Sequence, residues 1–329
     1  MRFRAFFAGV GITFFATAPL LHAEQAWPSK PIRVIVGYSA GGNADIYARQ
    51  LGEHMSRTLG QPVVIENKPG ATGVLATKYV AESKPDGYTL LFASNSSLSA
   101  MPALRAATGG SLGYRVPEDF TFIGLAFEAP AGIFVHGDSK INNAVDLIAA
   151  SKTGDVKIGL PGAGGASELI MEVINARTGS KLIGVPYQGV NNALTDIVSG
   201  RVDGFLGNFG TLKPMIDSGK LKLVVLFSDR RSPTYPDIKT FKEQGIDIVG
   251  TGLFGMVAPA GMPVGIVKKI SAAMSLAIKD PAVAASVIAT GVDVKDLPGD
   301  GFRDYVINEM RWYAQGIKSV PGIEKRLAP

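Results

Sequence analysis

The sequence predicts an α/β protein built from two lobes, and three observations support this. Short apolar strand candidates alternate with helical stretches over most of the chain, a pattern that favours parallel sheets covered by helices on both faces. The length of 329 residues suits two domains of ordinary size. Two extended segments punctuated by Gly and Pro, 122–138 and 249–263, interrupt the alternation. We expect these two segments to carry the chain across from one lobe to the other.

The first strand and helix of this pattern are the clearest. The strand candidate Ile32–Val36 is followed by apolar residues that recur at helical spacing from Tyr47 to Leu59, and Gly60 ends the helix. Further strands are predicted at 62–66, 88–94, 155–160, 202–207 and 221–227. Further helices are predicted at 167–177, 193–199, 264–279, 281–290 and 302–317. The last three helices are expected to return to the first lobe.

The N-terminus has the layout of a secretory signal peptide. Arg2 and Arg4 precede an apolar run at 5–21, and a small-residue cleavage site follows at Ala23. The run is slightly short for a retained membrane anchor, which is the alternative. We therefore expect export, with cleavage near Ala23. Removal of 1–23 leaves 329 − 23 = 306 residues with a formal net charge of 33 − 2 − 28 = +3.

These considerations divide the chain into a signal peptide and two lobes. The predicted ranges are 1–23 for the signal peptide, 24–128 plus 250–329 for lobe 1, and 129–249 for lobe 2.

Composition excludes several classes of protein. The chain has no cysteine, which excludes thiol catalysis and cysteine-ligated metals. Its charges are scattered singly, without the basic stripe that nucleic-acid binding needs. Glu168 and Glu172 lie four residues apart but have no histidine partner, so we interpret them as a solvated helix face rather than half a metal site. The segment 162–167 lacks the last glycine of a dinucleotide-binding fingerprint. We predict no metal, no cofactor and no nucleic-acid partner.

Four loops share a composition suited to ligand binding. They are rich in Gly, Ser and Ala, contain no Lys, Arg or His, and lie at 37–43, 69–73, 94–97 and 160–167. Most follow a strand and precede a helix, which places them at the sheet edge where α/β proteins bind ligands. Backbone N–H groups at helix N-termini suit a carboxylate or phosphate. We expect reversible binding through N–H groups, hydroxyls and water, with ordinary βα turns as the alternative.

The first of these loops also matches the G-x-S-x-G motif of serine hydrolases, at 37–41. The motif follows the first strand of the mature chain, so no earlier loop exists to supply an oxyanion donor. His54 lies about four turns along the next helix and points away, which leaves His136 as the remaining candidate base. A secreted hydrolase with Ser39 as its nucleophile is therefore the weaker alternative.

Asp45 and Tyr187 lie close in sequence to glycine-containing loops and could be structural residues or part of a site. Asp45 stands at the start of the first helix, where the helix dipole favours a carboxylate, and we interpret it as a helix-start residue. Tyr187, in the sequence VPYQG, lines a cleft or packs in the core; the sequence leaves both open.

Longer segments carry a family resemblance. They are WPSKPIRVIVGYSAGGNADIYARQL, LGQPVVIENKPGATGVLATKYVAESKPDGYTLLFAS, VPYQGVNNALTDIVSGRVDGFLGN and LFGMVAPAGMP. In combination they resemble the Bug family, the periplasmic solute receptors of tripartite tricarboxylate transporters, from Trp27 to the C-terminal helix. The resemblance implies a type II periplasmic binding protein fold. In that fold two Rossmann-like α/β lobes are joined by crossover strands, and the ligand lies in the inter-lobe cleft.

The resemblance also implies the function and the site. It implies no catalysis and no cofactor, a small carboxylate ligand (a dicarboxylate, tricarboxylate or aromatic carboxylate), and integral membrane permease subunits as partners. We expect a monomer. Carried over by position, it implies ligand-binding residues in loops of both lobes: Tyr38, Ser39, Ala40, Ala71, Ser94, Asn95, Ala163, Gly164, Ser167, Tyr187 and Asn208.

This chain departs from the family pattern at several cleft positions. Relatives often carry Pro where this chain has Ala40, and Thr or Ser where it has Ala44. They often carry Asp in place of Gly207, Trp in place of Leu253, and Asn-Gly-Thr in place of 163–165. Polar or bulky groups are thus replaced by small ones. We predict a roomier, less polar pocket that favours an aromatic or longer apolar carboxylate over citrate. A sensor that reports to a membrane kinase would use the same fold, and the sequence leaves transport and sensing open.

Overall fold

The computed structural model describes residues 27–163, 165–232, 234–320 and 322–323. The predicted signal peptide and Gly164 lie outside the described residues. The described chain forms ten β-strands: β1 Ile32–Val36, β2 Val63–Asn67, β3 Thr89–Ser94, β4 Phe120–His136, β5 Val156–Leu160, β6 Leu182–Pro186, β7 Gly204–Asn208, β8 Leu221–Leu226, β9 Thr251–Pro259 and β10 Asp293–Pro298. It also forms ten α-helices: α1 Asn43–Leu59, α2 Val74–Ala81, α3 Met101–Thr108, α4 Ala144–Thr153, α5 Ala166–Thr178, α6 Val190–Val198, α7 Lys213–Asp217, α8 Val264–Lys279, α9 Pro281–Ile288 and α10 Gly299–Lys318.

The strands form two lobes around β4. In lobe 1 the strand order is β2-β1-β3-β9-β4, and β10 pairs with the other edge of β4. In lobe 2 the order is β4-β7-β5-β6, and β8 pairs with β4. Strands joined by helical crossovers run parallel, such as β1 with β2 and β5 with β6. The sheets are nevertheless mixed rather than wholly parallel, because β8, β9 and β10 run antiparallel to the shared strand.

The shared strand β4 connects the lobes. Its first part, from Phe120 to Pro130, pairs with β9. From Ala131 onward it pairs with β7 and β8 instead. The second connection enters β9 at Thr251, which pairs with Pro130. The predicted α/β class with two crossover strands is confirmed, while the domain boundaries at 128/129 and 249/250 stay a prediction.

Helix α1 shows how the local sequence produces these layers. Its buried residues Tyr47, Leu51 and Met55 form one face and belong to a core cluster that also contains Ile270 of α8. The helix ends at Gly60, whose φ of 68° is a left-handed cap that residues with a Cβ adopt at a cost. The predicted helix is therefore present, and its apolar face covers the lobe 1 sheet.

The three C-terminal helices form where the sequence predicts them, and their assignment to lobe 1 stays a prediction. α8 has the predicted bounds, α9 ends two residues earlier, and α10 begins three residues earlier. Among the described residues no single helix has the length and apolar composition needed to cross a membrane. The helices α8 and α9 have that length and composition only when they are counted together, and the chain bends by 67° between them.

Candidate ligand-binding cleft

Two adjoining cavities lie between the lobes. The hinge cavity, of about 170 Å³, lies against the crossover strands and is lined by residues of 38–44, 94–96, 188–192, 205–208 and 250–254, among others. The loop cavity, of about 290 Å³, is lined mainly by residues of 37–39, 69–72, 161–163 and 187–189. Tyr38, Ser39 and Gln188 line both. The two cavities therefore form one elongated cleft.

The structure brings the described candidate residues together along this cleft. The hinge cavity contains Tyr38, Ser39, Ala40, Ser94, Asn95, Ser167 and Asn208. The loop cavity adds Ala71, Ala163 and Tyr187. Their contact with a ligand stays a prediction.

Loops of the two lobes meet across the cleft. The backbone N–H of Ala166 donates to Ser96 Oγ at 3.3 Å. A Cβ added to Gly162 would lie 2.3 Å from Thr72 Cγ2, which no real Cβ contact reaches. These close approaches show the cleft in a closed arrangement, and the absence of a side chain at Gly162 permits it.

A buried carboxylate holds the first loop in place. Asp45, 3% exposed, accepts from the Gly41 N–H at 2.9 Å, from Asn67 Nδ2 at 2.9 Å and from Arg49 Nε at 3.0 Å. Burial alone would raise the pKa of this carboxyl, but the bonds from Arg49, Gly41 and Asn67 outweigh it and lower the pKa. The carboxylate stays ionised and shapes the loop, in agreement with its interpretation as a helix-start residue.

Tyr38 ties three of the candidate loops together. Its hydroxyl donates to the carbonyl oxygen of Thr72 at 3.2 Å and lies 2.7 Å from Ser94 Oγ. Its backbone carbonyl accepts from Asn67 Nδ2 at 3.0 Å. Burial raises the pKa of the Tyr38 phenol, so it remains neutral at physiological pH.

Two helix N-termini reach the hinge cavity without side-chain caps. α1 and α5 begin after Gly42 and Gly165, neither N-cap position supplies a capping hydrogen bond, and the first residues of both helices line the cavity. Such ends carry N–H groups without an intrahelical partner and a positive dipole end that favour an anion. Among the described residues, no Lys, Arg or His lines either cavity. An anion here would be held by dipoles rather than by an ion pair.

The floor of the hinge cavity carries two side-chain amides. Asn95 Nδ2 donates to the carbonyl oxygen of Thr251 at 3.2 Å and to Tyr313 Oη at 3.1 Å. Asn208 Nδ2 donates to the carbonyl oxygen of Ala129 at 2.8 Å. Apolar walls stand beside the amides: Ile170, Phe205 and Phe254.

Sequence reasoning missed part of the lining. Additional polar residues of the cleft are Asn43, Thr72, Ser96, Gln188, Asn191, Asn192 and Thr251. The run QGVNN at 188–192 was a visible signal, since amide residues at a helix start beside a candidate tyrosine suggest a polar rim. Of the positions that depart from the family pattern, Ala40, Ala44 and Gly207 line the hinge cavity. Leu253 instead packs in the core with no exposed surface.

Neither described histidine serves the cleft. His54 Nε2 lies 3.7 Å from Asp280 Oδ2, near the end of α1 remote from the loop. His136 Nδ1 accepts from the Asp138 N–H at 3.2 Å at the end of β4. Ser39 therefore has no imidazole beside it in the described lining. Within the described chain there is also no group of three or more His, Asp or Glu side chains placed to hold a metal ion.

Tyr187 belongs to the cleft wall. It lines the loop cavity, and its hydroxyl donates to Asp196 Oδ2 at 2.9 Å. The Tyr187 ring also packs against a core cluster that contains Phe134 and Phe205, so both options left open by the sequence hold in part.

Comparisons with known proteins agree with this architecture. Residues 47–318 match the model of the tripartite tricarboxylate transporter family receptor. The chain is 32% identical over 316 residues to Protein BugT of Bordetella pertussis, covering 93% of this chain and 94% of that protein. It is similar to the solved structure of periplasmic binding protein BugD, with a TM-score of 0.81 and 32% identity over 89% of this chain and 98% of BugD.

A third relative was solved with a ligand. MatC from Rhodopseudomonas palustris with bound malate is 28% identical, with a TM-score of 0.81 over 88% of this chain and all of MatC. The family model spans most of the sequence, and the relatives cover nearly its full length. This chain belongs to the tripartite tricarboxylate transporter receptor family of solute-binding proteins.

Proposed function

We propose that this protein is exported to the periplasm, captures a small carboxylate by closing its two lobes, and delivers it to a membrane permease. The observation that carries the proposal is the closed, uncharged cleft lined by the uncapped N-termini of α1 and α5. Backbone dipoles there favour the negative charge of a carboxylate.

The uncharged lining suits a receptor that must release its ligand. A carboxylate held by N–H groups, hydroxyls and water is bound without a bidentate arginine clamp. Contacts from both lobes stabilise the closed state, so that ligand binding shifts the population towards closure. The permease would then recognise the closed form.

The ligand is proposed to be a carboxylate with an aromatic or apolar body. MatC, a relative, was solved with malate, which supports the carboxylate class. In this chain Ala40 and Gly207 line the hinge cavity together with Phe205 and Phe254. A volume of about 170 Å³ is close to that of an engineered apolar cavity of ~150 Å³ that accommodates benzene.

A thermal-shift screen followed by calorimetry tests the proposal. The mature chain would be mixed with malate, succinate, citrate, hexanoate, adipate, benzoate and hydroxylated counterparts of these acids, and with uncharged sugars as controls. A ligand at 100 times its Kd stabilises the folded form by about 2.7 kcal/mol, which raises the melting temperature measurably. No shift with any carboxylate, or shifts with sugars alone, would contradict the proposal.

The Ser39→Ala variant separates a receptor from a hydrolase. We expect altered carboxylate affinity and no ester hydrolysis in either form, because no imidazole stands beside Ser39. Ester turnover that disappears in Ser39→Ala would favour the hydrolase instead.

A further inference from the structure

The helix α5 receives an N-terminal capping bond from the opposite lobe. Its N-cap residue is Gly165, which has no side chain to accept from the first N–H groups of the helix. The N–H of Ala166, the first residue of α5, donates instead to Ser96 Oγ at 3.3 Å. Ser96 follows β3 in lobe 1, whereas α5 follows β5 in lobe 2. A serine hydroxyl is a favoured N-cap acceptor, and this one reaches α5 only while the two lobes are together.

Two glycines of lobe 2 make room for this approach. Gly165 has φ of −85° and ψ of −177°, an extended conformation open to any residue, and Gly162 likewise lies outside the left-handed region. A Cβ on Gly165 would lie 3.1 Å from Thr72 Cγ2 and 3.3 Å from Ser96 Oγ, and a Cβ on Gly162 would lie 2.3 Å from the same Thr72 methyl group. The contact between the lobes, rather than the course of the backbone, therefore explains both glycines.

Bonds within lobe 1 orient the residues that make this contact. Thr72 has φ of 52° and ψ of 36°, a left-handed conformation that is rare for a β-branched residue. Tyr38 Oη donates to the Thr72 carbonyl oxygen at 3.2 Å, and Thr72 Oγ1 donates to the Ala71 carbonyl oxygen at 2.8 Å. Burial raises the pKa of the Tyr38 phenol, and hydrogen bonds with Ser94 and Ser96 lower it in part. None of these bonds reaches lobe 2, so none of them depends on closure.

From these contacts we infer that Ser96 is a positioning residue for lobe closure, which caps α5 across the cleft. The Thr72 methyl group packs beside it against Gly162 and Gly165, and these contacts together are called the closure contact. Because it joins protein to protein, the closure contact stabilises the closed form whichever acid is bound. It therefore slows ligand release without selecting among ligands. The inference rests on the proposed function, because it presumes a ligand enclosed by closure.

Substitution of Ser96 tests the cap. In Ser96→Ala, the Kd of every acid that the unmodified protein binds should rise by the same factor, about fivefold, as expected for a lost helix cap. The rise should lie in the dissociation rate, measured by stopped-flow mixing, because a contact made only in the closed form slows opening rather than encounter. Ser83→Ala is the matched control, since Ser83 Oγ donates to the Tyr79 carbonyl oxygen within lobe 1, away from both cavities. It should keep the Kd of the unmodified protein.

Two results of the Ser96→Ala experiment would overturn the inference. Unchanged Kd values would mean that the cap does not stabilise the closed form, while carboxylate capture would stand. Losses that differ by more than about threefold between acids would make Ser96 a ligand contact, because it also lines the hinge cavity. If the unmodified protein binds no carboxylate, the proposed function fails and the inference fails with it.

A double substitution tests the part played by Thr72. In the described chain, the atoms within 4 Å of a Cβ on Gly162 are Thr72 Cγ2 and Cβ. Thr72→Ala removes the methyl group, so Gly162→Ala combined with Thr72→Ala should bind the acid about tenfold more tightly than Gly162→Ala alone. A purely local effect of the new Cβ on its own loop would give no such rescue. Equal Kd values in the single and double variants would therefore overturn the inference.

Discussion

The two sides of the β4–β9 ladder differ in charge, although Thr251 contributes to both. On the cleft side, the hinge cavity has no charged side chain in its described lining. On the opposite side a rear cavity of about 320 Å³ is lined by Glu128, Pro130, Ser228, Asp229, Arg230, Arg231, Ser232, Thr251, Asp293 and Lys295. The charges near the hinge are therefore grouped behind the crossover strands, away from the hinge cavity.

The rear charges form a bonded network. Glu128 makes an ion pair with Lys295 of β10 and accepts from Tyr305 Oη at 2.8 Å and Thr251 Oγ1 at 3.0 Å. Burial would raise the pKa of the Glu128 carboxyl, but the bonds from Lys295 and Tyr305 outweigh it and lower the pKa. The rear side thus fixes the frame of the hinge with charge, while the described lining of the cleft side offers only dipoles to the proposed carboxylate.

The largest expected effect comes from the cleft side. In Gly162→Ala, the new Cβ would lie 2.3 Å from Thr72 Cγ2 and hold the loops of the two lobes apart. Ligand affinity should fall about 100-fold, since the clash costs about 2–3 kcal/mol in the closed form only. Calorimetry with the tightest acid of the panel measures this.

The ligand-free melting temperature should change little in that variant, because the open form has no clash. Gly265→Ala is the control, since a Cβ at that position of α8 meets nothing within 4 Å. Unchanged affinity in Gly162→Ala would mean that the two loops do not meet in the ligand-bound protein.

A substitution in the rear network should lower the stability of the fold rather than the ligand affinity. Glu128→Ala leaves Lys295 without its partner and removes the acceptor of Tyr305 and Thr251. We expect a loss of about 2 kcal/mol in the free energy of unfolding, measured by urea denaturation, because a half-buried ion pair loses one member. Glu53→Ala, in a well-exposed pair with Arg57, should cost under about 0.5 kcal/mol. Equal losses in the two variants would contradict a structural role for the rear network.

Elements of the fold that depend on nearby residues could be predicted from the sequence, whereas elements that depend on distant contacts could not. The strand β1, the helix α1 and the Gly-rich loops follow from apolar spacing and turn residues, and the structure contains them. Strand β10 was not predicted, because its sequence DVKDLP has no apolar alternation and it becomes a strand by pairing with β4. Tertiary pairing overrides local preference in such segments.

The site shows the same limit. The loops that line the cleft could be predicted from composition, since uncharged Gly- and Ser-rich turns after strands are a local pattern. The orientation of Asn95 could not, because the carbonyl oxygen that fixes it belongs to Thr251, 156 residues further along the chain. The grouping of charges behind the hinge likewise depends on contacts between distant segments, such as that of Glu128 with Lys295.

A smaller effect concerns a carboxyl behind the cleft floor. Burial, aided by the charge of Glu128, raises the pKa of Glu309 to about 8, and its Oε2 is buried without a partner. Between the ordinary glutamate pKa of 4.5 and about 8, the folded protein retains a proton that the unfolded chain releases. Stability should therefore fall as pH rises through this window.

The Glu309→Gln variant isolates this carboxyl. Gln keeps the shape but cannot ionise, so the variant should melt about 2 °C or more above the unmodified protein at pH 8.5 and about equally at pH 5. The titratable groups around it, Glu128, Tyr305 and Tyr313, are the same in both proteins, and burial raises the pKa of both phenols so that they stay neutral. An identical pH dependence of the melting temperature would show that Glu309 is ionised in the folded state throughout and that the cleft floor has a charge behind it.

The smallest expected effect comes from the ion pair that crosses the rear of the hinge. Arg230, in the segment after β8, lies 3.6 Å from Asp293 of β10, and the Arg230 side chain is 74% exposed. An exposed pair of this kind contributes under about 0.5 kcal/mol and is screened by salt. Arg230→Ala should therefore change ligand affinity less than about twofold at 0.15 M salt, and the difference should vanish at 1 M. A change in ligand affinity above tenfold that persists at 1 M salt would mean that the rear charges control lobe closure as well as the hinge frame. The two sides of the β4–β9 ladder would then not have separate roles.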